Sequence, residues 1–213
     1  MKFQEFEKRI VNVIKMELPG EEYHLKMAPI QRLLELKRKA KEMSTARKAG
    51  VMMLFYPSDE GETRFVLILR KTYKGVHSAQ VSFPGGKLEP EDASLMETAL
   101  RETEEEIGIP SSQINVLREL TELYIPPSNF FVQPFVGIMS ATPKFMAEEA
   151  EVESIIEIPL GHFMDESVLI TKIISTSYAK NIEVPAFLLK EHIVWGATAM
   201  VLNEVRRMLH NLS

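Results

Sequence analysis

The stretch Gly85-Gly86-Lys-Leu-Glu-Pro-Glu-Asp92-Ala93-Ser94-Leu-Met-Glu97-Thr-Ala-Leu-Arg101-Glu102-Thr103-Glu104-Glu105-Glu106-Ile107-Gly108-Ile109 decides how this chain is read. A double glycine leads through an acidic loop into a segment that carries Arg-Glu-x-x-Glu-Glu and stops at a glycine. Residues on a helix advance by roughly 100° each. With Glu102 as origin, Glu106 lies roughly 40° to one side and Glu105 roughly 60° to the other. Three carboxylates therefore share one face, a turn apart. Met96, Leu100, Thr103 and Ile107 fall on a different face, which can pack on a sheet. Like charges at this spacing weaken an isolated helix. A divalent cation would turn the repulsion into coordination, and Mg²⁺ commonly pairs carboxylates with substrate phosphates. Ser94-Leu-Met-Glu97 fits a capping box at the helix start. Gly108, with Pro110 beyond it, fits the stop.

The stretch resembles the Nudix box, the signature of the Nudix hydrolases. That pattern runs Gly, five residues, Glu, seven residues, then Arg-Glu-apolar-x-Glu-Glu-x-Gly-apolar. Arg101 to Ile109 match its second half, with Thr103 at the first apolar place. The first half departs. Gly86 stands one residue too far from Arg101, and the position of the first Glu is Ala93, next to Asp92. A Glu104-Glu105-Glu106 run by itself reads as a solvated face. Arg101, Glu102, Gly108 and the upstream Phe83-Pro84-Gly85-Gly86 turn the reading to a catalytic metal site through the resemblance.

Composition sets the bounds. The chain has 213 residues, enough for one substantial core and an appendage. A hydrophobic share of 45% and a charged share of 26% are ordinary for a soluble globular protein. A net charge of −5 offers no bulk attraction for nucleic acid or an anionic membrane. With no cysteine, disulfides, thiol nucleophiles and Cys-based zinc sites are excluded. The first residues lack the apolar core of a signal peptide, and no apolar run approaches the ~20 residues of a membrane span. The expectation is a cytoplasmic protein whose partner is a small molecule, with no nucleic acid and no membrane.

Residues 2–16 and 28–44 read as helices separated by Leu18-Pro19-Gly20. The second is basic, with Arg32, Lys37, Arg38, Lys39, Lys41 and Arg47, and reads as a solvated amphipathic helix rather than a phosphate-binding arm. Strands are expected at Val51–Tyr56, Arg64–Lys71, Val116–Tyr124, Phe131–Met139, Glu153–Ile158, Leu169–Ser175 and Ile182–Leu189. A last helix is expected over about 194–211, with Trp195 at its head as a core or interface residue. One helix inside a run of strands, with helices at both ends, argues an α/β or α+β mixed-sheet protein. The resemblance implies an α/β/α sandwich of Nudix type. Residues 46–213 would form it, and residues 1–45 would be an N-terminal helical extension. Those helices suit a homodimer interface, and intramolecular packing explains them as well.

The flanking segments carry the specificity reading. Leu67-Ile-Leu-Arg70-Lys71-Thr-Tyr-Lys74-Gly-Val-His77-Ser-Ala79-Gln80-Val-Ser-Phe83-Pro-Gly-Gly86 is similar to the signature that precedes the box in coenzyme A pyrophosphatases, with Ala79 in place of a glycine. Tyr124-Ile-Pro-Pro-Ser128-Asn129-Phe-Phe-Val-Gln-Pro-Phe-Val-Gly137 and Ile193-Val-Trp-Gly-Ala-Thr-Ala199 are similar to further segments of that subfamily. The resemblance implies hydrolysis of the diphosphate of coenzyme A or its derivatives to 3′,5′-ADP and 4′-phosphopantetheine, with Mg²⁺ or Mn²⁺ as cofactor. Another nucleoside diphosphate derivative such as ADP-ribose, or a non-catalytic nucleotide-binding module, are the competing readings. The expected metal ligands are Glu102, Glu106, the Gly86 carbonyl and Glu105. Glu105 is equally a candidate base, and Arg101 can orient it across one turn. Glu151 is the expected extra carboxylate from beyond the box. Arg70 and Lys74 could pair with substrate phosphates, or be solvated. His77, Ser128 and Asn129 could touch substrate, or serve as loop and turn residues. The five histidines show no metal-ligand spacing.

Overall fold

Strand β1 (Arg47–Pro57) is the spine of the molecule. A computed structural model describes residues 1–71, 80–175 and 181–210, apart from the side chains of Ile14, Ile30, Leu33 and Lys37. Met52 to Tyr56 are all fully buried, so both faces of β1 are covered. Successive side chains of a strand point to opposite faces. Met52, Leu54 and Tyr56 pack with Ala99 and Ile107 of helix α4 (Leu95–Ile107). Met53 and Phe55 pack the other way, with Phe6 of α1 (Phe3–Ile10) and with Val205 and Met208 of α6 (Gly196–His210). The sequence alternation thus sorts itself into two helical layers around one sheet. This is a mixed α/β fold with a mixed sheet.

The main sheet runs in the order β3-β2-β1-β7-β5. Strand β2 is Thr63–Arg70, β3 Val81–Ser82, β5 Asn115–Glu119 and β7 Phe130–Ile138. β1 and β7 are parallel from Arg47↔Phe130 to Phe55↔Ile138. The far half of β1 pairs antiparallel with β2 through Phe55↔Phe65, and its near half with β4 (Gly85–Lys87) through Gly50↔Gly86. β6 (Leu123–Ile125) adds to β7, and β8 (Val152–Pro159), which leads into the short helix α5 (Leu160–Met164), adds to β2. A second sheet, β11-β10-β9, is built from β9 (Leu169–Ile174), β10 (Ile182–Leu189) and β11 (His192–Trp195).

The single strand expected over Val116–Tyr124 is two strands. Pro134 in β7 has no N–H to donate, and the ladder lapses beside it. Glu119 pairs with Phe135 and Leu123 with Val132, and Leu120–Glu122 bridge the gap. The Gln133 side chain fills in by donating to the Leu120 carbonyl at 2.7 Å. Trp195 ends β11 instead of heading the last helix, which starts at Gly196. The helix expected over 28–44 is α3 (Ile30–Arg38) followed by a short 3-10 turn, and a further short helix, α2 (Glu21–Leu25), precedes it.

The N-terminal extension shares the main core. Phe3, Phe6, Ile10, Val13 and Met27 are buried in the same cluster as Phe55, Phe65 and Leu202. Two basic residues of the second helical segment donate to backbone carbonyls. Arg32 donates to the Tyr124 carbonyl at 2.5 Å, and Lys39 to the Pro126 carbonyl at 3.1 Å. Among the described residues, no helix is long and apolar enough to cross a membrane.

Candidate active site

Helix α4 carries the acidic residues, and its ends are fixed locally. Ser94 caps it by accepting from the Glu97 N–H at 3.2 Å, while Glu97 accepts from the Ala93 N–H at 2.8 Å. It ends at Gly108, whose left-handed conformation turns the N–H onto the Glu104 carbonyl at 2.9 Å. The inward face keeps Thr103, Ile107 and the partly buried Leu100 of the expected set and departs from it at Met96. Met96 is 41% exposed, while Ala99, Thr103 and Ile107 are buried. The reason lies in β1. A Cβ at Gly50 would stand 2.2 Å from the Leu95 carbonyl oxygen and 3.1 Å from the Ala99 nitrogen. The helix backbone rests directly on this glycine, and that contact sets its rotation.

The three box carboxylates diverge in environment. Glu105 is largely exposed, Glu102 is mostly covered and Glu106 is buried. Glu106 accepts from the Gly85 N–H at 2.8 Å through Oε2. Its Oε1 lies 2.8 Å from Arg70 Nη1, but without hydrogen-bond geometry, so this buried oxygen has an ion-pair neighbour and no hydrogen bond. Burial pushes the Glu106 carboxyl up to about 7; Arg70 and the Gly85 N–H oppose the rise, and the charges of Glu102 and Glu151 add to it. The Glu102 carboxyl is also raised, first by burial, against Arg101, and further by Glu105 and Glu151. The repulsion read from helix spacing is thus present, and it includes Glu151. The loop of Glu151 is held where the Lys71 N–H donates to its carbonyl at 2.9 Å, beside the end of β2.

Two arginines brace the site. Arg101 grips Asp92 with two parallel contacts, Nε to Oδ1 at 2.9 Å and Nη2 to Oδ2 at 3.0 Å. Its Nη1 reaches Glu102 at 3.0 Å and Glu105 at 2.9 Å. The Arg101 guanidinium holds the Asp92 carboxyl well below the usual range, helped by the Glu89 N–H and the Thr98 hydroxyl. Asp92, next to the position where the box pattern has an acid, is thus bound to Arg101, while Ala93 at that position is exposed. Arg70 donates to Ser82 Oγ at 3.1 Å and to the Gly85 carbonyl at 2.5 Å, besides facing Glu106. Its guanidinium is spent on the box loop.

Gly86 closes on the acidic face from the other side. A Cβ there would fall 2.4 Å from the Glu102 carboxylate. Any side chain would displace the acid, so the β4 backbone and Glu102 meet only through glycine. Among the described residues, no three acidic or histidine side chains form a ready cation cage. The groups that could hold a hard divalent cation are Glu102, the unbonded Oε1 of Glu106, the Gly86 backbone and Glu151.

Ser128 and Asn129 lie in the turn between β6 and β7. Asn129 sits at φ 54 in a turn, with its Oδ1 accepting from the Tyr124 hydroxyl at 2.8 Å. The Ser128 hydroxyl is buried without a hydrogen bond, and its carbonyl accepts from Arg47 at 3.3 Å. Lys74 and His77 lie outside the described residues.

Beside the box loop opens a cavity of about 330 Å³, absent from the sequence reading. Gly85 and Gly86 of the box loop line it together with Phe83, Leu123, Ile125, Trp195 and Met200, and with Pro29 and Glu35 from the N-terminal segment. A second missed cluster is buried between the chain ends. Glu204 of α6 accepts from His24 at 3.0 Å, the Thr121 hydroxyl at 2.5 Å and the Gly20 N–H at 3.2 Å. No local pattern announces it, because His24 and Glu204 are 180 residues apart.

The NUDIX domain family model matches residues 46–161, more than half of the chain and the whole of the box with its supporting strands. The chain belongs to the Nudix family. Over 169 residues it is 32% identical to an uncharacterized Nudix hydrolase, NudL, of Yersinia pestis, covering 78% of this chain and 81% of that one. A NudL of Yersinia enterocolitica, also uncharacterized, is 46% identical over 99 residues, 46% of this chain and half of that relative's length. Two solved structures share the fold. The Nudix hydrolase RenU of M. smegmatis has a TM-score of 0.54 at 12% identity, covering 79% of this chain and 88% of that one. A MutT/nudix family protein of Enterococcus faecalis has a TM-score of 0.51 at 17% identity, covering 92% and 76%. In this Nudix protein α3 and Trp195, which line the cavity, both fall outside the matched segment.

Proposed function

We propose that this Nudix protein hydrolyses the diphosphate linkage of coenzyme A or its derivatives, with Glu102, Glu106 and the Gly86 carbonyl holding Mg²⁺ or Mn²⁺. The observation that carries the reading is the buried Glu106 oxygen, unbonded and crowded by two further acids. An apolar core has no use for such an atom, since an unmet buried acceptor is costly. A bound divalent cation would neutralise these acids and the diphosphate together and make water a stronger nucleophile.

The side chains divide the remaining work. Arg101 orients Glu102 and Glu105 and is itself fixed by Asp92. We assign to Glu105, exposed and ion-paired with Arg101, the role of taking a proton from attacking water. Arg70 holds Glu106 and the Gly85 carbonyl in register, so we assign it to positioning and not to the 3′-phosphate. Glu151 adds further negative charge to that of Glu102 and Glu106. The coenzyme A class rests on the resemblance of 67–86, 124–137 and 193–199 to that subfamily.

The test is a substrate panel with Mg²⁺ and Mn²⁺. Coenzyme A or its short thioesters should show higher kcat/KM than ADP-ribose, NADH or diadenosine polyphosphates. A competitor that clearly beats coenzyme A removes the subfamily reading and leaves the diphosphatase. Tight nucleotide binding without turnover of any of them turns the protein into a binding module.

A further inference from the structure

We infer that the N-terminal helix α3 is part of the substrate site. Together with Trp195 it encloses an apolar subsite that takes the aliphatic, non-nucleotide chain of the diphosphate substrate. This deepens the proposed function and rests on it.

Three observations carry the inference. The cavity of about 330 Å³ begins at Gly85 and Gly86, the backbone that faces Glu102, so a group in it is continuous with a diphosphate held at the box. One wall of it comes from α3 through Gln31, Arg32 and Glu35. That wall is fixed in place: Arg32 donates to the Tyr124 carbonyl at 2.5 Å and Lys39 to the Pro126 carbonyl at 3.1 Å, on either side of the apolar Ile125. These bonds join the extension to the β6–β7 turn, whose Pro127 and Phe130 also line the cavity.

The chemistry of the lining selects the occupant. Val51, Leu123, Ile125, Val132, Met200 and Val201 present aliphatic surface along its length. Apolar pockets with a few polar groups at their edge bind chains by excluding water and orient them by the edge. The polar side chains that α3 contributes to the lining are Gln31 and Glu35, which suit the amides of a chain. Of the three cations in the lining, Arg32 is held by the Tyr124 carbonyl and Arg70 by Glu106 and the Gly85 carbonyl, while Lys87 is exposed and adjoins Gly86 of the box loop. The nucleotide half therefore lies on the other side of the diphosphate, and the chain lies here.

Trp195 is the sole tryptophan of the chain and lines the cavity, so its emission reports occupancy without turnover. The probes are S-acyl pantetheines of increasing chain length, which lack the diphosphate, and adenosine 3′,5′-bisphosphate, which lacks the chain. Both are titrated into the metal-free full-length protein. The acyl pantetheines should shift Trp195 emission, with affinity rising about fourfold per added methylene until the cavity is full, as burial of a CH₂ at ~0.8 kcal/mol requires. Gln31→Phe, at an exposed position of α3, should flatten that dependence by filling the subsite. Glu35→Leu should steepen it by extending the apolar wall. Circular dichroism and melting confirm that both variants fold. A Trp195 response to the bisphosphate and not to the pantetheines overturns the inference and makes the cavity a base pocket. Chain-length dependence equal in wild type and both variants removes α3 from the site. Acyl pantetheine binding in a protein that cleaves no diphosphate upholds the subsite and defeats the proposed function instead.

Discussion

Two buried glutamates of this protein behave in opposite ways. Glu204 is fully buried, yet its carboxyl is lowered: burial pushes it up, and hydrogen bonds from His24, Thr121 and Gly20 more than offset that. Glu106 is as deeply buried, and its carboxyl is raised to about 7. Glu204 has hydrogen-bond donors at both oxygens, whereas Oε1 of Glu106 has none. A buried acid with its donors supplied is a structural tie. A buried acid with one oxygen left without a hydrogen bond, and with other acids acting on it beside its Arg70 ion pair, is a candidate functional site. The difference between structure and function here is a difference in hydrogen bonds, not in residue type or depth.

The largest effect should come from Glu106→Gln. Removing one ligand charge with little change of volume should lower metal-dependent kcat by about 10²-fold or more, the scale of losing one strong electrostatic stabiliser. The metal-free melting temperature at pH 8 should hold or rise, because the wild-type carboxylate is held there against burial and repulsion. The rise in melting temperature with Mg²⁺ should shrink. Near wild-type turnover in the folded variant breaks the comparison on the functional side.

Glu204→Ala should do the reverse. It strips the partner from His24, the Thr121 hydroxyl and the Gly20 N–H at once. Breaking such a buried network costs about 3 kcal/mol or more, or roughly 6–12 °C in melting temperature for a chain of this size. Well below the transition, kcat should stay within severalfold of wild type. A thermal shift of a degree or less removes Glu204 from the structural role.

The two acids also predict pH slopes of opposite sign in metal-free protein. Glu204 has a lowered carboxyl, so its stabilisation is present above the ordinary value of 4.5 and is lost as pH falls through its folded value. Glu106 has a raised one, so the folded state binds the extra proton between about 4.5 and 7, and stability falls as pH rises through that window. Glu106→Gln should abolish the neutral-range fall, and Glu204→Ala should abolish part of the acid-range loss. Urea titrations across pH 3–9 separate them, and a Glu106→Gln curve parallel to wild type between pH 5 and 8 contradicts the assignment.

The same contrast explains what the sequence made legible. Arg101, Glu102, Glu105 and Glu106 lie within two turns of one helix, so spacing alone brings them together, and Ser94 and Gly108 mark the ends of that helix. β1 was legible because its apolar run is continuous. The partners that tell the acids apart are remote. Arg70 is 36 residues from Glu106 and His24 is 180 from Glu204, and no local period records either pairing. The cavity was hidden for the same reason, since its walls come from α3, the box loop and the start of α6. Met96 was misread because helix rotation is set by Gly50, on another element.

Asp92 sharpens the comparison with the smallest effect. It lies near the box and stands one place from the position where the family pattern has an acid, which would make it a metal-ligand candidate by proximity. Its oxygens are nonetheless taken: Arg101 holds both, and the Thr98 hydroxyl and Glu89 N–H donate to Oδ2. By the rule drawn from Glu204, a carboxylate so supplied is a tie and not a ligand. Asp92→Asn should therefore cost about 1–2 kcal/mol of stability, the scale of a hydrogen bond to a charged group. Turnover should fall less than about tenfold, because Arg101 still reaches Glu102 and Glu105. The Mn²⁺ concentration for half-maximal activity should change less than about threefold. Adding Ala93→Glu should restore neither property, since position 93 faces solvent. A large rise in the Mn²⁺ requirement of Asp92→Asn places Asp92 among the ligands; rescue by Ala93→Glu shows that the one-residue offset carries no structural meaning.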